Sequence, residues 1–148
     1  MKLYLKQLSL ILMLLLFAVQ AKAQFEGTRL SPEAKISLIT CSPGDELYAI
    51  FGHSAVRVND PATGIDIVFN YGTFDFNEPG FYIKFIRGKL NYKLSIAYYQ
   101  DFAYSYTLDN RSIYEQEMNF TEVQKQQYWQ FLTNNYLPEN RFYLYDFF

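Results

Sequence analysis

Apolar and polar residues along this 148-residue chain change their spacing several times, and each change predicts an element. The first pattern is an unbroken apolar run, Leu8 to Val19, with only Ser9 polar. It is shorter than the roughly 20 residues that a bilayer-spanning helix requires. Lys2 and Lys6 precede the run and Ala21-Lys22-Ala23 follows it, which is the order of a cleavable secretory signal peptide over residues 1–23. Gln24 to Glu33 is a polar lead-in. Lys35 to Cys41 (KISLITC) then reads as a buried strand, and Ser42-Pro43-Gly44 as a turn. Asp45 and Glu46, followed by Leu47, Ile50 and Phe51 and closed by Gly52, predict a short helix over Asp45 to Phe51.

The next stretch alternates. His53 to Val58 and Ile65 to Tyr71, joined by Asn59-Asp60-Pro61 through Gly64, predict a hairpin whose second strand, IDIVFNY, is apolar enough to be covered on both faces. Gly72 to Gly80 is a loop carrying aromatic residues, and Phe81 to Gly88 has helical spacing. Asn91 to Tyr98 reads as a strand, Tyr99 to Leu108 as a helix and Ser112 to Met118 as a strand. Thr121 caps a helix over Glu122 to Tyr136, with Val123, Tyr128, Phe131 and Leu132 on its apolar face and Pro138 ending it. Phe142 to Phe148 (FYLYDFF) holds five aromatics in seven residues and needs partners on a sheet, so the domain is expected to continue beyond it. The expected class is therefore α+β, an antiparallel sheet packed with several short helices, in a single domain over residues 24–148.

Composition narrows the function. Without Lys2, Lys6 and Lys22, the 13 basic residues fall to 10 against 15 acidic ones, a net charge near −5. An acidic balance without a run of basic residues argues against a nucleic-acid partner. A lone Cys41 in an exported chain supplies no disulfide, so 14 Tyr and 14 Phe must provide much of the core.

Candidate chemistry is sparse. His53 is the sole histidine, so imidazole acid–base work near neutral pH falls to it; otherwise it is a strand-end residue bonded to a loop. Cys41 is a candidate nucleophile for His53 or a small packing residue, and its place at the end of a strand favours packing. One His, one Cys and scattered carboxylates match no zinc spacing, and no phosphate-binding glycine loop or G-x-S-x-G elbow occurs, so no metal or cofactor is expected.

Four segments carry a resemblance: SLITCSPGDELYAIFGHSAVRV (Ser37 to Val58), GIDIVFNYGTFDF (Gly64 to Phe76), FIRGKLNYKLS (Phe85 to Ser95) and LPENRFYLYDFF (Leu137 to Phe148). Together they resemble the periplasmic N-terminal domain of the Lnb-type lipoprotein N-acyltransferases of Gram-negative bacteria. The resemblance implies a circularly permuted papain-like fold of the NlpC/P60 kind, with His53 at the family's histidine position and an asparagine-cysteine motif directly after Phe148. It implies acyl transfer from a phospholipid to the α-amino group of a lipoprotein's N-terminal cysteine at a periplasmic membrane surface. Asn70, on the strand paired with that of His53, is the candidate orienting partner for the imidazole; alternatively it satisfies the FNYG turn backbone. Two other functions stay open: a cell-wall peptidase or amidase with the same catalytic pair, and a non-catalytic envelope binding module using the aromatics of Thr73 to Tyr82.

Overall fold

A computed structural model describes residues 27–144. The expected signal peptide, residues 1–23, and the last four residues of the FYLYDFF segment lie outside the described residues. The fold is α+β: six antiparallel strands in the order β5-β1-β2-β3-β4-β6, with helices against both faces. The strands are β1 (Lys35–Cys41), β2 (His53–Asp60), β3 (Ile65–Thr73), β4 (Asn91–Tyr98), β5 (Ile113–Glu117) and β6 (Phe142–Leu144). The helices are α1 (Phe81–Ile86), α2 (Tyr99–Leu108) and α3 (Glu122–Asn135).

Register assigns side chains to faces, because directly opposed residues of antiparallel strands point the same way. On one face Ile36, Val56, Val58, Ile67, Phe69 and Leu94 pack beneath Trp129 and Leu132 of α3. On the other, Ile39, Cys41, Ala55 and Val68 pack against Phe102 of α2. Ile67, Val68 and Phe69 are all buried, so β3 is covered on both faces as its continuous apolar run predicts.

Three expectations are corrected. Asp45 to Phe51 is a series of tight turns and not a helix: Ala49 N–H donates to Glu46 O at 2.7 Å and Gly52 N–H to Ala49 O at 3.0 Å. So short a segment does not offset the cost of helix nucleation without an apolar face to bury, and Leu47, Ile50 and Phe51 are exposed. The inner face of α3 is also rotated from its expected position, for Val123 and Phe131 are exposed while Trp129 and Leu132 are fully buried. The cause is the segment before β1, which is no polar lead-in. Leu30 and Ala34 are buried, Trp129 Nε1–H donates to Thr28 O at 2.9 Å, and Gln126 bonds Leu30 through N–H and carbonyl at 3.2 and 2.7 Å. The helix therefore turns Gln126 and Trp129 toward that segment. Thr121 caps α3 as expected, completing a capping box with Gln124.

Asp60 closes β2 and is wholly buried, in place of the exposed loop position the sequence suggests. Burial alone would push its carboxyl up. Hydrogen bonds from Ser31 Oγ at 2.6 Å, Ser31 N–H at 2.8 Å and Ala62 N–H at 3.2 Å outweigh that and hold it below the usual carboxylate range. Asp60→Ala should therefore cost about 2–4 kcal/mol in urea unfolding, because it leaves part-buried donors unpaired and frees the segment that α3 grips.

Candidate functional site

The site lies at one end of the sheet, where β1 finishes, β2 begins and β3 bulges. Cys41 stands directly opposite His53 in the β1–β2 register. The intervening turns bring the chain straight back, so twelve residues of sequence separation become one cross-strand step. Gly52 permits that return: its φ is +75°, and a Cβ there would stand 2.6 Å from the Cys41 carbonyl oxygen. Gly52→Ala is expected to cost about 2 kcal/mol or more and to displace His53, read as a lowered denaturation midpoint and a perturbed imidazole resonance.

Asn70 reaches the same face from β3. His53 Nε2–H donates to Asn70 Oδ1 at 2.5 Å, which leaves Nδ1 as the basic nitrogen of the neutral ring. The Asn70 side chain is thus committed to the imidazole, while its backbone carbonyl accepts from Thr73 Oγ1 at 3.3 Å and from Ser95 Oγ at 3.5 Å. The bulge between Asn70 and Thr73 brings Gly72 beside the ring, where a Cβ would lie 3.8 Å from His53 Cε1. Gly72 N–H donates to the Tyr143 hydroxyl at 2.5 Å, which ties this corner to β6.

Burial pushes the imidazole pKa below its ordinary 6.5; the bond to Asn70 opposes this and the nearby Arg111 cation adds to it. His53 is accordingly a neutral base at pH 7. The unfolded chain binds the proton more readily than the folded one. Stability should therefore fall as pH drops below about 6.5, and urea midpoints at pH 7.5 and 5.5 should differ less in His53→Gln than in the parent.

Cys41 is buried, and burial pushes its thiol up, although a hydrogen bond with Tyr106 and the Arg111 charge partly oppose the rise. Such a thiol holds little thiolate at neutral pH. Tyr106 and Arg111 had no signal in the spacing of the sequence. They arrive from the end of α2 and the turn after it, where the Arg111 guanidinium lies 4.5 Å over the Tyr106 ring and donates from Nε and Nη2 to Ser42 O at 2.9 and 2.8 Å.

Among the described residues no three of His, Cys, Asp and Glu gather as a metal site, and no helix is long and apolar enough to cross a membrane. A hollow lined by Lys35, Glu117 and Lys125 lies at the opposite end of β1 from Cys41 and includes neither His53 nor Asn70. The arrangement at the His53 end is an oriented, partly desolvated imidazole with one nitrogen held and the other available. It can take a proton from a nucleophile and return it to a leaving group.

Comparison with curated proteins and with solved structures brought no match in either. The profile of one family, described as the Lnb N-terminal periplasmic domain, matches residues 21–148, so the chain belongs to that family and is a periplasmic domain of the cell envelope.

Proposed function

We propose that this chain is the acid–base half of a periplasmic thiol acyltransferase that moves an acyl chain from a phospholipid to the amino terminus of a lipoprotein. The observation that carries the reading is the His53–Asn70 pair. Asn70 accepts from Nε2–H and fixes both tautomer and ring direction, the function that an amide or acid serves in Cys-His enzymes. The expected nucleophile is the cysteine of the asparagine-cysteine motif that the resemblance implies directly after Phe148, within one domain of a permuted papain-like fold. Its placement suits β6. Phe142 pairs with Lys93, as Thr73 does, so β6 leaves the sheet at the end where His53 stands.

In the first half-reaction Nδ1 of His53 takes the thiol proton, and the thiolate attacks a phospholipid ester carbonyl. The C–O bond breaks, the imidazolium returns its proton to the leaving alkoxide, and a thioester and a lysophospholipid remain. In the second, the lipoprotein amine attacks the thioester and gives its proton to His53. The C–S bond breaks, an amide forms, and the proton returns to the thiolate.

The test begins with the gene beyond Phe148: a cysteine within about ten residues is required, and its absence ends the reading. The complete protein should then convert a diacylglyceryl-cysteine peptide to its N-acyl form with phospholipid as donor. Hydrolysis of muropeptides without acyl transfer would replace this reading with that of a cell-wall peptidase. Cys41→Ala should retain transfer, whereas its loss in a folded variant would make Cys41 the nucleophile.

A further inference from the structure

An exposed apolar surface adjoins His53, and the mechanism above does not use it. Phe51, two residues before His53, is 87 % exposed, and Leu47 and Ile50 of the same turns are exposed with it. Tyr82, Ile83 and Ile86 project from α1, each more than 60 % exposed. Aromatic contacts join the two segments into one surface. Tyr48 meets Phe74 and Phe76 edge-on at 5.7 and 5.2 Å, and Phe76 packs on Phe81 of α1 at 5.1 Å. Single exposed apolar side chains are ordinary, but a joined set of this extent marks a surface that meets something.

Charge says what it meets. Residues 81–93 contain Lys84, Arg87, Lys89 and Lys93 and no acidic residue, so four of the ten cations beyond Ala23 gather on the α1 side of this surface, while its exposed acids, Asp45, Glu46 and Asp75, lie on the side of the turns. Lys84 is paired with Glu78 at 2.8 Å, while Arg87 and Lys89 are exposed beside Ile83 and Ile86. Apolar and aromatic side chains next to cations on a short helix form the pattern that sinks into the headgroup boundary of a bilayer containing anionic lipid.

We propose that the 47–51 turns and α1 dock this domain on a leaflet containing anionic phospholipid, holding His53 at headgroup depth. The functional sense of this docking rests on the acyl-transfer reading above; its geometry does not. Ester carbonyls of a phospholipid lie at that boundary, so a domain seated there brings its base to the donor without extracting the lipid from the bilayer.

The test places an environment-sensitive fluorophore on Ile83→Cys, with Val123→Cys on α3 as the comparison, both in a Cys41→Ala background of the full chain. Phosphatidylglycerol-containing vesicles should brighten and blue-shift the label at position 83 and leave that at 123 unchanged; phosphatidylcholine vesicles should do much less. Both chains carry the same N-terminal residues, so an effect of those residues would appear at both positions. In the otherwise unaltered chain, Arg87→Gln with Lys89→Gln should lower vesicle flotation about tenfold at low salt. A silent label at 83, equal responses at 83 and 123, undiminished flotation of the double variant, or a change without vesicles that grows with protein concentration would overturn the proposal. The last outcome would assign the surface to a second copy of the chain. His53→Ala should dock like the parent and transfer nothing, whereas a parent protein that docks and transfers no acyl chain counts against the acyl-transfer reading and not against docking.

Discussion

His53→Ala in the complete protein is expected to lower acyl transfer at least about 100-fold, and as much as about 10,000-fold, with little loss of folding. The size follows from the ring's double duty. In the proposed mechanism it accepts the nucleophile's proton in one half-reaction and the amine's in the other, and residues 1–148 hold no second histidine to substitute. The fold should survive because the ring sits at the edge of the core, between a turn and a bulge, with Asn70 Oδ1 accepting from its Nε2–H. The acid limb of the kcat/KM profile should lie below pH 6.5, since burial holds the imidazole neutral to lower pH than in water. Asn70→Ala should also cost activity, by less, because it frees the ring without removing it. Retained transfer in a folded His53→Ala protein, by mass spectrometry of the peptide product, would remove His53 from the mechanism.

Trp129→Ala carries the largest expected effect on stability, about 3–5 kcal/mol, enough to unfold a domain of ordinary stability at 37 °C. Trp129 is 1 % exposed, meets Phe69 edge-on with ring centroids 5.9 Å apart, and holds Thr28 O through Nε1–H at 2.9 Å. Its loss opens a cavity against β3 and releases the segment before β1. Trp129→Phe restores most of the volume and forfeits the hydrogen bond, so it should cost about 1–2 kcal/mol. Urea unfolding followed by circular dichroism distinguishes these values; an Ala variant within 1 kcal/mol of the parent would show that α3 does not anchor the sheet.

The strands and the longer helices are legible in the sequence because their signals are local. The β2–β3 hairpin follows from alternation interrupted by Asn59-Asp60-Pro61, and the start of α3 from Thr121 ahead of Glu122. What fails is what depends on a distant neighbour. The inner face of α3 cannot be read from its own spacing, since Gln126 and Trp129 turn inward to meet Leu30 and Thr28, about a hundred positions away in sequence. The 45–51 segment has helical spacing but leaves Leu47, Ile50 and Phe51 exposed, and spacing alone does not reveal that.

The site divides in the same way. His53 is found because it is the sole histidine, and Asn70 because it lies on the neighbouring strand. The direct opposition of Cys41 and His53 is invisible along the chain, as twelve residues separate them and Gly52 brings them back together. Tyr106 and Arg111 have no motif of their own. They belong to the site because α2 and the turn after it cover the face that carries Cys41 and Ala55.

The central claim is that His53 serves a thiol that carries the acyl chain. Intact-mass analysis of the complete protein after brief exposure to phospholipid, without acceptor peptide, tests it most directly. One acyl mass should appear on the cysteine beyond Phe148, be released by neutral hydroxylamine as a thioester is, and be absent from His53→Ala. An acyl mass on a different residue, or acyl transfer by a protein that lacks that cysteine, would contradict the account.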